Sequence, residues 1–159
     1  MTASAILEAL AEDVRTNWAP AHRCRVQVAP DPARALELLA AGAPEGCSLA
    51  LWYAGEGPAD DRGLVCDEQV AGRFSLALAV HPGMRLRDGR GAPGALSEAE
   101  SLRRFLLREA DDSLLLDGWR YAGMESFQLP QGDAPLGGYT LTLEGIYDCG
   151  DEETEDNED

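Results

Sequence analysis

Apolar residues recur at helical spacing in three stretches of this chain and at strand spacing in five others. In residues 4–17, Ile6, Leu7, Leu10 and Val14 share one stripe, and Ser4 is available as the N-cap. Pro20 follows, and Arg25-Val-Gln-Val28 alternates like a short strand. Asp31-Pro32 reads as a cap followed by proline at the first helical position, and Gly42 stands where a C-terminal glycine stop belongs. Leu36, Leu39 and Ala40 form the buried face of that second helix. Cys47–Tyr53 alternates, with Leu49, Leu51 and Tyr53 on one face and Ala50 and Trp52 on the other. A polar loop with Gly55, Gly57, Pro58, Asp60 and Asp61 comes next. Leu64–Cys66 and Gly72–Val80 read as one long strand with a bulge near Gly72, in which Phe74–Val80 alternates large and small residues. A glycine-rich loop runs from Pro82 to Ala95. Ser97 and Glu100 then match a capping box that opens a helix running through Leu102–Ala110. Two strands, Gly118–Phe127 and Gly138–Tyr147, close the pattern.

The predicted order is helix, strand, helix, strand, strand, helix, strand, strand. Runs of adjacent strands point to an α+β fold, a mixed and mostly antiparallel sheet with helices packed on one face. No internal repeat is visible. Residues 1–150 are read as a single α+β domain. Residues 151–159 are read as a disordered acidic tail, too charged and too poor in apolar groups to pack.

At 159 residues the chain is long enough for one domain with a real core and short for two. No apolar run approaches the roughly 20 residues that span a bilayer. The first residues lack a basic region and reach Glu8 early, so a signal peptide is not expected and synthesis is placed in the cytoplasm. The formal charge is −16, and setting aside the seven acidic residues of Asp151–Asp159 leaves −9 on the rest. That balance argues against general nucleic-acid binding, which needs a basic face. All 13 basic residues are arginine. Cys24, Cys47, Cys66 and Cys149 are scattered without a Cys-x-x-Cys pair; with no secretion signal, they are expected to be buried free thiols.

Several motifs carry possible chemistry. Gly89-Arg-Gly-Ala-Pro-Gly94 is a literal G-x-G-x-x-G, but Pro93 removes one phosphate-cradling N–H and the sequence shows no βαβ unit around it. A surface loop is the better account. Arg85, Arg87 and Arg90 make this loop locally basic, a solvated segment or a contact for acidic surface on a neighbouring copy or another protein. His22 stands two residues before Cys24, where it can seed a metal site with distant thiols. No second close ligand pair accompanies it, so a structural role is expected. His81, before Pro82, fits a strand-to-turn position. Asp60-Asp61 and Asp111-Asp112 are expected to be solvated, because adjacent carboxylates point apart. Trp119, Tyr121 and Phe127 share parity and are expected on one strand face, as core packing or as an aromatic subunit contact. No catalytic residue, cofactor or metal is expected.

The helix Leu102-Arg-Arg-Phe-Leu-Leu-Arg-Glu-Ala110, the strand from Gly118-Trp-Arg-Tyr-Ala-Gly-Met-Glu125 and the strand Gly138–Tyr147, preceded by Arg73–Val80, resemble tailed-phage tail-terminator (tail-completion) proteins. The similarity covers about half of the chain as a pattern of elements; the Asp31-Pro32 helix and the acidic tail depart from it. The resemblance implies a non-enzymatic virion protein at the head-proximal end of the tail. Such subunits form a ring, expected as a hexamer, that caps the tail tube, fixes its length and faces the head side. Implied partners are further copies, the tail-tube protein and the head–tail connector protein, with DNA passing through the ring without sequence-specific binding and no membrane involved. Arg85, Arg87, Arg90, Trp119 and Tyr121 are the candidate contacts. A head–tail connector, or a small acidic binding module outside any virion, is the competing expectation.

Overall fold

The alternation along Phe74–Val80 sets the architecture: Phe74, Leu76, Leu78 and Val80 are buried on one sheet face, Ser75, Ala77 and Ala79 on the other. A computed structural model describes residues 2–41, 46–58, 69–80, 94–108, 118–129 and 136–148. The elements are α1 (Ala3–Asn17), a 3₁₀ turn (Ala19–Arg23), β1 (Cys24–Val28), α2 (Pro32–Ala40), β2 (Cys47–Pro58), β3 (Gln69–Val80), α3 (Ala95–Leu106), β4 (Trp119–Leu129) and β5 (Leu136–Asp148). The fold is α+β, with these helices packed against a mixed, mostly antiparallel five-stranded sheet of order β1-β2-β3-β5-β4.

β1 and β2 pair in parallel, which requires a crossover, and α2 supplies it. β3 and β4 both run antiparallel to β5 and therefore parallel to each other, so α3 is a second crossover that passes over β5. The Gly89–Gly94 motif thus precedes a crossover helix, contrary to the sequence expectation, but residues 89–93 lie outside the described residues. Gly94 is the N-cap of α3.

α1 and α3 share the large-residue face. Ile6, Leu7, Leu10 and Val14 of α1 and Ala95, Ala99, Leu102 and Leu106 of α3 join Leu49, Leu51, Phe74, Leu76, Leu78, Leu141 and Leu143 in the main core. Each fully buried Leu or Phe contributes about 1.5–3 kcal/mol. Polar links join these elements. Arg15 donates to the Val26 carbonyl, Trp18 Nε1 donates to Ser101 Oγ at 3.2 Å, and Arg108 grips both Asp13 oxygens at 2.9 and 3.0 Å. α2 lies on the opposite face, where Ala35 and Leu39 meet Ala50, Trp52, Ala77 and Ala79. The one-face expectation therefore holds for α1 and α3 but not for α2. The small side chains of the second face leave room for a helix there.

Local signals were moved by packing in several places. Thr2, not Ser4, caps α1, accepting from the Ala5 N–H at 3.1 Å. Asp31 caps α2 as expected, accepting from Arg34 N–H at 2.7 Å. Leu39 is fully buried, while Leu36 and Ala40 are half-buried and Ala35 takes the inner position. α3 starts at Ala95, which places Ser97 and Glu100 inside the helix; burial of Ala95 and Ala99 against the sheet outweighs the capping-box signal. Gly55, Gly57 and Pro58 belong to β2 rather than to a loop, and the bulge falls in β2 between Tyr53 and Gly55, not near Gly72. Gly42, Asp60-Asp61, Leu64–Cys66, Asp111-Asp112, Cys149 and the acidic tail lie outside the described residues.

Candidate functional site

Three groups of polar or aromatic side chains converge among the described residues. The first sits where the α1/α3 face continues along the sheet. Tyr53, Phe74, Leu143 and Tyr121 stand opposite one another across β2, β3, β5 and β4, and Glu56, Gly72, Gly145 and Trp119 form a second row two positions along β3 and β5. Phe74 is fully buried, with the rings of Tyr53, Trp119 and Tyr147 at centroid distances of 5.4, 5.2 and 6.4 Å. Gly72 makes this cluster possible. A Cβ there would stand 2.7 Å from Tyr147 Cε1 and 3.0 Å from Phe74 Cε2.

The Tyr147 phenol donates to Glu56 Oε2 at 3.1 Å and lies 3.5 Å from the Tyr53 hydroxyl. Burial, then the Tyr53 hydroxyl and the Glu56 carboxylate, pushes the Tyr147 pKa well above the ordinary tyrosine value. Burial also raises that of Tyr53. Both phenols therefore stay protonated near neutral pH, and Tyr147 serves as a hydrogen-bond donor to the Glu56 carboxylate. Its evident work is to fix Glu56 and the end of β2.

The second group lies along β4, at one edge of the sheet. Trp119 and Tyr121 are half-buried against the main core, and the Arg103 guanidinium lies 5.6 Å from the Tyr121 ring centroid. Phe127 does not share their face. Ala122 is bulged between Tyr121 and Gly123, which inverts the alternation, and Gly123 accommodates the turn with φ 153°. Phe127 packs instead against the α2-side cluster that holds Ala35, Leu39, Ala50, Trp52, Ala77 and Ala79, its ring close to Gly138. The structure therefore brings together Trp119 and Tyr121. Arg85, Arg87, Arg90 and His81 lie outside the described residues. Leu107, 40% exposed, is the one large apolar residue exposed among those described.

The third group corrects the sequence reading of the cysteines. Cys24 and Cys47 are not free thiols but a disulfide, with Cα atoms 4.3 Å apart. Each opens its strand, and parallel pairing of β1 with β2 sets them directly opposite. Gly46 permits the approach, because a Cβ there would collide with the Arg23 carbonyl oxygen at 2.5 Å. Glu98, in the first turn of α3, is 4% exposed and ion-pairs with Arg23 through Oε1. Its Oε2 is buried without a hydrogen-bond partner. His22 points elsewhere, its Nδ1 2.6 Å from the Ala19 carbonyl oxygen. Cys66 lies outside the described residues.

Sequence reasoning put Trp119 and Tyr121 on one strand face, as the structure has them, but did not single out Glu56, Tyr147, Glu98 or the cysteine pair. One signal for the pair was present: two cysteines that each begin a strand in a strand–helix–strand unit fall at the same end of adjacent parallel strands. No protein-family model and no curated protein matches the chain.

Proposed function

We propose that this protein is a structural virion subunit, a ring-forming tail terminator that caps the tail tube and joins it to the head side. The observation that carries the proposal is the succession of elements around one sheet. An N-terminal helix, long central strands, a helix crossing the sheet and a closing antiparallel strand pair occur in the order that the sequence resemblance implies. The half-buried rings of Trp119 and Tyr121 at the β4 edge, together with Arg85, Arg87 and Arg90 in an otherwise acidic chain, supply unlike patches of the kind a heterologous ring contact needs. Tail-tube protein and the connector are the proposed neighbours, and the ring's place is the head-proximal end of the tail. β1 and β4 are the edge strands of the sheet, and an edge strand leaves backbone groups for a neighbour to pair.

Tail-tube and tape-measure genes beside the coding sequence would support this assignment. A direct test adds the purified protein to polymerising tube protein and images the product by electron microscopy. Tubes of arrested length with a ring at one end are expected. Tubes that grow on unaffected would leave the competing reading, an acidic binding module outside a virion.

A further inference from the structure

We propose that the Cys24–Cys47 pair, once reduced, forms with Glu98 a three-ligand site for a single zinc-class divalent cation. This inference is independent of the assembly role. The two sulfurs and a Glu98 carboxylate oxygen all lie within 4.8 Å of one another. A tetrahedral site needs metal–sulfur distances of about 2.3 Å and metal–oxygen distances of about 2.0–2.2 Å, which small side-chain rotations supply from this starting arrangement. The ligands come from three elements: the starts of β1 and β2 and the first turn of α3.

A second observation points to the ligand. Glu98 Oε2 is buried and unpartnered, a costly state for a carboxylate oxygen. Oε1 is held by Arg23, so Oε2 is the free arm of an oriented carboxylate. Charge fits as well. Two thiolates and one carboxylate around a dication leave one net negative charge, and the adjacent Arg23 guanidinium neutralises it. Arg23 then orients the ligand from outside the metal's own shell. The fourth position falls to water, as in zinc sites with three protein ligands.

The chemistry balances in two steps. A dithiol or phosphine reductant cleaves the Cys24–Cys47 bond, giving two thiols and the oxidised reductant. The dication then displaces both thiol protons, which pass to solvent, and forms two metal–sulfur bonds and one metal–oxygen bond. In an oxidising compartment the pair is a covalent staple; in a reducing one it is a metal site.

The test uses the full chain with Cys66→Ser and Cys149→Ser, so that only this pair carries thiols. It is reduced with a phosphine, mixed with zinc and desalted. One zinc per chain is expected by mass spectrometry after reduction and none in the oxidised protein. Cobalt substitution should give a thiolate-to-metal charge-transfer band that Cys24→Ser and Cys47→Ser each weaken or abolish. Glu98→Gln should lower zinc affinity at least tenfold, and Arg23→Gln about tenfold. X-ray absorption on the parent protein needs no Glu98 variant to fold, and should show two sulfur neighbours with oxygen completing the shell. No zinc uptake on reduction, uptake unchanged in both serine variants, or unchanged affinity in a folded Glu98→Gln protein would overturn the proposal.

Discussion

The two faces of the sheet solve the same problem with different side chains. Against α1 and α3 the strands present Leu49, Leu51, Phe74, Leu76, Leu78, Leu141 and Leu143; against α2 they present Ala50, Ala77 and Ala79, with Trp52 as the one large partner. The first face gains stability from sheer buried area. The second gains it from close fit, where little volume can be removed and none added. Sensitivity to substitution should therefore differ in sign of volume change.

The largest expected effect is truncation on the first face. Phe74→Ala should lower stability by about 3–5 kcal/mol in urea denaturation, because it removes the ring on which Tyr53, Trp119 and Tyr147 converge. On the second face enlargement should do the damage: Ala77→Leu should cost about 1–3 kcal/mol by overpacking under α2. An Ala77→Leu protein as stable as the parent would break the comparison.

Gly72→Ala extends the test to the aromatic end. A methyl group there meets Tyr147 and Phe74 inside van der Waals contact, so a loss of about 1–3 kcal/mol is expected, with a change in near-ultraviolet circular dichroism as the rings shift.

Much of this contrast was legible in the sequence. The odd–even alternation of Cys47–Tyr53 and Phe74–Val80 assigned nearly every core residue of β2 and β3 to its face. The eight-element order was also readable, since each helix carried a stripe and each strand an alternation. Three things were not. Bulges at Ala54 in β2 and Ala122 in β4 each add one residue and invert the face of everything beyond, as Phe127 shows; a nearby glycine permits such a bulge but does not demand it. That α2 meets the sheet on the side opposite α1 and α3 was not legible, because its own stripe does not say which side of a sheet it will meet. Glu56, Tyr147 and Glu98 carry no local sequence signal of their contacts, and only the tertiary fold brings each to its partner.

A smaller effect separates the phenol network from plain packing. Tyr147→Phe keeps the ring but removes the donor to Glu56, for an expected loss of about 1 kcal/mol. The pH dependence is more diagnostic. The folded state holds the Tyr147 and Tyr53 protons more tightly than the unfolded chain does. Their contribution is thus complete below the ordinary tyrosine pKa of about 10 and is lost as pH rises above it. Urea midpoints between about pH 8 and pH 11 should fall less steeply for Tyr147→Phe than for the parent.

The smallest effect per site concerns assembly. Replacing Arg85, Arg87 and Arg90 with Ser should leave the chain folded and weaken ring or tube association, with reduced salt sensitivity. Each exposed charge pair contributes about 0.2–1 kcal/mol, but a ring repeats it at every interface. Equal assembly at low and high salt would show that these arginines are merely solvated and leave the contacts to the β4 edge.

The most direct measurement of the central claim is the mass of the purified full chain in solution, alone and mixed with tail-tube protein. The assembly account predicts a closed oligomer of defined stoichiometry, expected to be six copies by the resemblance, that forms or is stabilised when tube protein is present. A mass that stays at 17.0 kDa in both conditions, with no complex at any concentration tested, would contradict it.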